Sequence, residues 1–261
     1  HQEYESSTLL KTLEARAHAT QQGRLIHAVR LLRCYGKPIN GKEDGEAFVR
    51  WMEARGLAPS TRLSALSTIR CAHPRPDALK DVRVRVPERS VLEEVLSKSE
   101  IKMVLDDLKN HEAWYYPIFA LWLGTGLRNS ELIGLRWDCV RLEERELLIV
   151  RSLRRDGTST HKRVWGSTKT GKCRVVPLTD GLISVLEAHK VAMAAMGLDT
   201  KVGLVFVTPR THRHLYDSGL ERVWKRSQRR VGIEPRRLYS QRHSFLSHAL
   251  AMGNSPADLA A

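Results

Sequence analysis

Four runs of apolar residues at helical spacing fill the first 75 residues of this 261-residue chain, and a proline pair then stops them. Leu9, Leu10, Leu13 and Ala17 make one stripe, and Leu25, Ile26, Val29 and Leu32 the next. Phe48, Trp51 and Met52 form a third, closed by Gly56; Pro59 and Ser60 open a fourth that carries Leu63, Leu66 and Ile69. Steps of three and four place each set on one helix face. His73-Pro74-Arg75-Pro76 ends the run. Residues 80–96 then alternate charge with valine and show no helical stripe, as expected of a linker. The expected division is a four-helix domain over 1–79, a linker over 80–96 and a second domain over 97–261.

The second part mixes periods. Ser97-Lys98-Ser99-Glu100 fits a capping box ahead of Ile101, Val104, Leu105 and Leu108. An apolar helix is expected from Trp114 to Leu123, with Trp114, Tyr115 and Tyr116 in the core. Strands are expected over Leu147–Val150, Arg174–Leu178 and Leu204–Val207. Asp156-Gly157 between the first two is a hairpin signal. Helices are expected over 180–196, 215–231 and 240–252, the last closed by Gly253. The fold class is α+β, mostly helical, with a small antiparallel sheet in the second domain.

Charge narrows the function. Lys and Arg number 43 against 29 Asp and Glu, a net charge of +14. Net +5 falls on 1–88 and +9 on 89–261, so the excess is spread over the body. Such a balance favours a polyanion, nucleic acid before membrane. Four cysteines, Cys34, Cys71, Cys139 and Cys173, stand far apart without a CxxC pair. That argues against a thiolate zinc site and for reduced thiols in the cytoplasm. His212-Arg213-His214 lacks a third ligand and reads as a solvated basic loop. No metal or other cofactor is expected, and no apolar run is long enough to span a bilayer.

Three segments carry candidate chemistry. Gly124-Thr125-Gly126-Leu127-Arg128-Asn129-Ser130-Glu131-Leu132 joins two apolar helices through a tight turn. Arg128 then falls at a helix start, where an anion is favoured; its bland alternative is an ion pair with Glu131. Thr168-Lys169-Thr170-Gly171-Lys172-Cys173-Arg174 reads as a hairpin tip that projects Lys169. In Tyr239-Ser240-Gln241-Arg242-His243, Tyr239 and Arg242 are three apart and share a helix face. The basic pairs Lys225-Arg226, Arg229-Arg230 and Arg236-Arg237, with Lys172 and Arg174, are candidate contacts to backbone phosphates.

Taken in this order, TGLRNSEL, TKTGKCRVVPL and YSQRHSF, followed by SHALAMGNSPADLAA, resemble the catalytic domain of the tyrosine recombinases, or phage integrases. The resemblance is close over 97–261; residues 1–88 resemble the family's helical core-binding domain in helix count and position. It implies site-specific recombination of duplex DNA through a 3′-phosphotyrosyl intermediate, without metal or energy cofactor, by protomers that self-assemble on DNA. Arg128 and Arg242 match the two arginines that clamp the scissile phosphate, Lys169 the general acid for the leaving 5′-oxygen, and Glu131 the acid that orients the first arginine.

Two departures stand out. Tyr239 occupies the position where the family most often has histidine, and a phenol with a reference pKa of about 10 is a poor base; His243 is about 100° further round the helix and reads as structural. The family's Leu-Gly-His turn and its nucleophilic tyrosine are expected beyond Ala261: Ser255-Pro256-Ala257-Asp258 starts a helix, and none of Tyr4, Tyr35, Tyr115, Tyr116, Tyr216 and Tyr239 matches the nucleophile's position. On that reading the 261 residues bind DNA without cutting it. A non-catalytic DNA-binding protein and a type IB topoisomerase remain the alternatives.

Overall fold

The computed structural model describes residues 8–20, 23–86, 95–155, 162–168 and 171–255. Two compact units divide the chain: 1–89 with 155–162, and 90–154 with 163–261.

In the first unit the apolar stripes become α1 (Thr8–Thr20), α2 (Gly23–Tyr35), α3 (Lys42–Ala54) and α4 (Pro59–Ala72). Leu13, Leu32, Phe48, Met52, Leu66 and Ile69 are buried in one core. Tyr35, Phe48 and Trp51 pack ring on ring, with centroids 5.0–5.7 Å apart. Gly56 takes the left-handed conformation (φ 70°), and the Leu57 N–H returns to the Met52 carbonyl at 3.2 Å, which stops α3. Leu63, expected in the α4 stripe, is 43% exposed. Each three-residue step falls short of a full turn by about 60°, so Leu63 stands well round from the buried Ile69. The core does not stop at 79: Val82 is buried with Leu79. Both press on Gly45, where a Cβ would stand 2.8 Å from Leu79 and 2.9 Å from Val82. The middle of the expected linker, residues 87–94, lies outside the described residues.

The second unit is the α+β part. It runs α5 (Lys98–His111), α6 (Tyr116–Thr125), α7 (Asn129–Ile133), β1 (Val140–Arg141), β2 (Glu146–Ile149), β3 (Ser152–Arg155), β4 (Arg163–Gly166), β5 (Arg174–Pro177), α8 (Asp180–Ala195), α9 (Asp217–Arg230) and α10 (Ser240–Ala251). The capping box starts α5 as expected: Glu100 N–H donates to Ser97 Oγ at 3.2 Å, and Ser97 N–H to Glu100 Oε2 at 2.7 Å. Strands β1, β2 and β5 make a three-stranded antiparallel sheet, with Leu147 opposite Val140 on one side and Val176 on the other. β3 and β4 form a separate two-stranded sheet. They flank the expected Asp156-Gly157 turn, which lies outside the described residues.

α6 is apolar on all sides, and this explains its place at the centre of the unit. Ile118, Phe119, Leu121 and Trp122 are each at most 1% exposed, and Phe119 stacks on Trp224 of α9 at 5.3 Å. A helix that is apolar all round is stable in water only when surrounded by other elements. α5, α8 and α10 pack against it. Its C-terminal end therefore emerges among the other elements, and the turn that leaves it carries Arg128. The strand expected over Leu204–Val207 is not formed. Val205, Phe206 and Val207 are buried, but pairing is limited to isolated bridges, Arg136 with Leu204 and Val207 with His214.

Candidate active site

The turn after α6 is held from three directions. Thr125 Oγ1 bonds the Leu121 carbonyl at 2.6 Å, and the buried Trp122 Nε1–H bonds the Leu127 carbonyl at 2.8 Å. Gly126 adopts φ 60°, and a Cβ there would clash with the edge of the Phe245 ring of α10. Arg242, also on α10, donates from Nη1 to the Gly126 carbonyl. The same glycine thus provides the left-handed turn, admits Phe245 and receives Arg242. Gly126→Ala should lower unfolding free energy by about 2–4 kcal/mol, from a strained backbone plus overpacking; chemical denaturation measures it. A loss within 0.5 kcal/mol would mean α10 can shift aside freely.

Glu131 is the electrostatic centre. Its side chain is 1% exposed. Oε1 accepts from Arg128 Nη1 at 3.1 Å and Arg174 Nη1 at 3.0 Å; Oε2 accepts from the Arg128 N–H at 3.0 Å and Arg174 Nη2 at 2.7 Å. Burial alone would raise the carboxyl's pKa. The bonds from Arg174 and from the Arg128 N–H outweigh that and hold it below its ordinary value. Arg128 does lie at the helix start, as expected, yet Glu131 takes its backbone N–H. The Arg128 N–H is thus committed to Glu131.

Arg242 is 8% exposed. Burial lowers its pKa most; Arg128 and Arg174 push the same way, while Tyr239 and Glu131 oppose them. A guanidinium stays charged regardless. Three guanidiniums beside one carboxylate leave a net charge of +2. Tyr239 precedes α10, is 43% exposed, and meets the His243 ring edge-on at 5.1 Å. Arg174 and Arg242 also line a largely apolar cleft of about 650 Å³, walled by Val175, Phe245, Leu246 and Met252.

Lys169 and Thr170 lie outside the described residues. Of the described residues on either side, the Gly171 N–H donates to the Thr168 carbonyl at 3.1 Å and Thr168 Oγ1 to the Lys172 carbonyl at 2.7 Å. The preceding strand is anchored: Arg163 of β4, 2% exposed at its side chain, donates to Asp217 Oδ1 at 2.7 Å. Asn129, next to Arg128, donates to the same oxygen at 2.6 Å. Asp217 thereby ties β4 to the turn that carries Arg128.

The remaining basic candidates divide. Arg230 forks onto Asp107 of α5, with Nη2 at 2.7 Å and Nε at 2.9 Å, and Arg226 pairs with Glu112 at 2.5 Å. Arg236 binds Glu100 at 2.9 Å, and Lys225 binds Glu221 at 2.8 Å. Lys172, Arg229 and Arg237 are exposed. Sequence reasoning placed Arg174 among the phosphate contacts and did not see its fork onto Glu131; it missed Asn129, Arg163 and Asp217 altogether. These partners stand 43 to 88 residues apart in the chain, so no local pattern could pair them. Among the described residues, no cluster of three or more His, Cys, Asp or Glu is arranged to hold a metal, and no helix is long and apolar enough to cross a membrane.

A buried acid holding two arginines beside a third, on a helical α+β frame, makes a net-positive cluster that an anion would balance. The chain belongs to the phage integrase family, which it matches over residues 94–261. A curated relative, the XerC-like tyrosine recombinase of Caldanaerobacter subterraneus subsp. tengcongensis, is 29% identical over 184 residues, covering 64% of this chain and 46% of the relative. The chain spans about half the length of the curated relatives it matches. Among solved structures, the Tn1549 transposon integrase in complex with transposon right-end DNA superposes with a TM-score of 0.79 at 16% identity, over 97% of this chain and 90% of that one. A lambda integrase dimer bound to a core site gives 0.63 at 14%, over 96% and 91%. At these identities the two structures share the fold.

Proposed function

We propose that this chain performs site-specific recombination of duplex DNA, binding the scissile phosphodiester at Arg128 and Arg242 and transferring the strand through a 3′-phosphotyrosyl intermediate. The observation that carries this is the net +2 arginine cluster around the buried Glu131. A phosphodiester carries one negative charge, and attack by an oxygen nucleophile raises it toward two. Guanidiniums fixed before substrate arrives stabilise that increase without reorganising. Lys169, just past the anchored strand β4, is the general acid: its ammonium protonates the departing 5′-oxygen. Tyr239 donates a hydrogen bond to a non-bridging oxygen. The four-helix unit over 1–79 is the core-binding partner that also grips the duplex, and protomers assemble on DNA as dimers or tetramers. Localisation follows the DNA, in the cytoplasm. No metal or cofactor enters the chemistry.

The attacking tyrosine is not one of the six in this sequence. The 261 residues should bind duplex DNA yet form no covalent adduct with a nicked suicide substrate, while the full product of the gene should form one. An adduct mapped to Tyr239 or another of the six would overturn that placement. An inert full product that still binds DNA would favour a non-catalytic DNA-binding protein. Relaxation of supercoils without a defined site would favour the topoisomerase reading.

A further inference from the structure

We propose that Arg174 is a positioning residue: by filling the bidentate face of Glu131 it prevents Arg128 from forking onto that carboxylate and leaves the Arg128 guanidinium available for a phosphate. The ligand is the phosphodiester of the proposed function, and the inference rests on that reading for the ligand's identity alone.

A carboxylate offers about four acceptor positions. On Glu131 all four are taken, two by Arg174 (Nη1 at 3.0 Å, Nη2 at 2.7 Å) and two by Arg128 (Nη1 at 3.1 Å and the backbone N–H at 3.0 Å). Arg128 is joined to this carboxylate by a three-residue step along one helical turn. A fork–fork pair between adjacent arginine and glutamate is the stronger arrangement. Such a pair would direct two of the guanidinium's nitrogens at Glu131. Arg174 arrives from β5, 43 residues away, and occupies that position. Arg128 then spends one nitrogen on Glu131 and keeps its Nη2 and Nε donors uncommitted to it. Arg174 also keeps the cluster at +2. With Glu131 intact and Arg174 gone, the same residues carry +1.

Charge and saturation are separable. Arg174→Lys keeps the charge but replaces a planar fork with a point donor, so at least one acceptor position on Glu131 opens to Arg128. Arg174→Ala loses both. Arg174→Ala combined with Glu131→Gln restores +2 and removes the carboxylate that would capture Arg128.

The probe is inorganic phosphate, titrated into the 261-residue protein while the arginine Nε–Hε resonances are followed by NMR. No strand cleavage is required, so the result is independent of whether the protein recombines DNA; that reading stands or falls on the suicide-substrate assay. In the wild type, phosphate should shift the Arg128 and Arg242 resonances saturably. In Arg174→Ala and in Arg174→Lys the Arg128 response should weaken about tenfold or more, as loss of a charge-assisted hydrogen bond implies. The double variant should recover most of it. Wild-type phosphate binding by Arg174→Lys would show that charge alone matters and would overturn the inference. A double variant no better than Arg174→Ala would overturn it as well, because the carboxylate would then not be the competitor. If Arg174→Ala does not fold, the lysine variant against the double variant still decides.

Discussion

Arg128→Ala and Arg242→Ala, each made in the full product of the gene, should lower the rate of DNA cleavage by about 10²–10³ or more, the range for removing one prearranged donor to a developing oxyanion. Affinity for the same duplex should change by less than about tenfold. The split follows from where each guanidinium sits. Arg242 is 8% exposed and Arg128 is held on Glu131, so neither offers a broad surface to the duplex. Exposed basic residues such as Lys172 and Arg229 are expected to meet backbone phosphates, and each such contact would add to affinity. An interaction strengthened only as charge builds acts on rate and leaves ground-state binding nearly unchanged. The comparison is single-turnover cleavage against equilibrium binding at one fixed salt concentration. Cleavage within tenfold of wild type by Arg128→Ala would remove it from the clamp. An equal fall in binding and cleavage would make it a docking residue.

The helices were legible because their signal is local. Residues such as Leu66 and Ile69, or Ser97 and Glu100, announce a face or a cap within four positions. The arginine turn was legible too, since Gly126 must be glycine and Arg128 and Glu131 share one helical turn. Residues that meet only in three dimensions were hidden. Arg174 sits in a strand whose burial alternates, and an arginine on such a strand reads as a surface charge. Nothing local says that Glu131 receives it. Asp217 at the start of α9 reads as an ordinary helix-start acid, and only the fold brings Arg163 and Asn129 to it. The error at Leu204–Val207 has the opposite cause. Four apolar residues in a row record burial accurately, yet burial does not supply a strand partner, and only single bridges form on either side.

Glu131→Ala should destabilise the second unit by about 3–5 kcal/mol, the usual result of removing one partner from a buried ion pair. The lost side chain is 1% exposed and accepts four hydrogen bonds. Its removal leaves three guanidiniums facing one another with +3 and no anion. Two outcomes distinguish this electrostatic cost from a simple cavity. First, sulfate or phosphate should raise the variant's unfolding midpoint more than the wild type's, at matched ionic strength in chloride, because a bound anion replaces the missing carboxylate. Second, the acid sensitivity should change. Glu131 titrates below its ordinary value in the folded protein, so its stabilisation is fully present above the unfolded-state pKa of about 4.3 and is lost as pH falls from there through the folded value. Glu131→Gln has no such proton to take up. Below about pH 4.5 its unfolding free energy should therefore fall less steeply than that of the wild type, while the two curves run parallel near neutrality. Identical acid slopes, together with an equal response to sulfate, would show that Glu131 is held by packing alone and that the arginines do not depend on its charge.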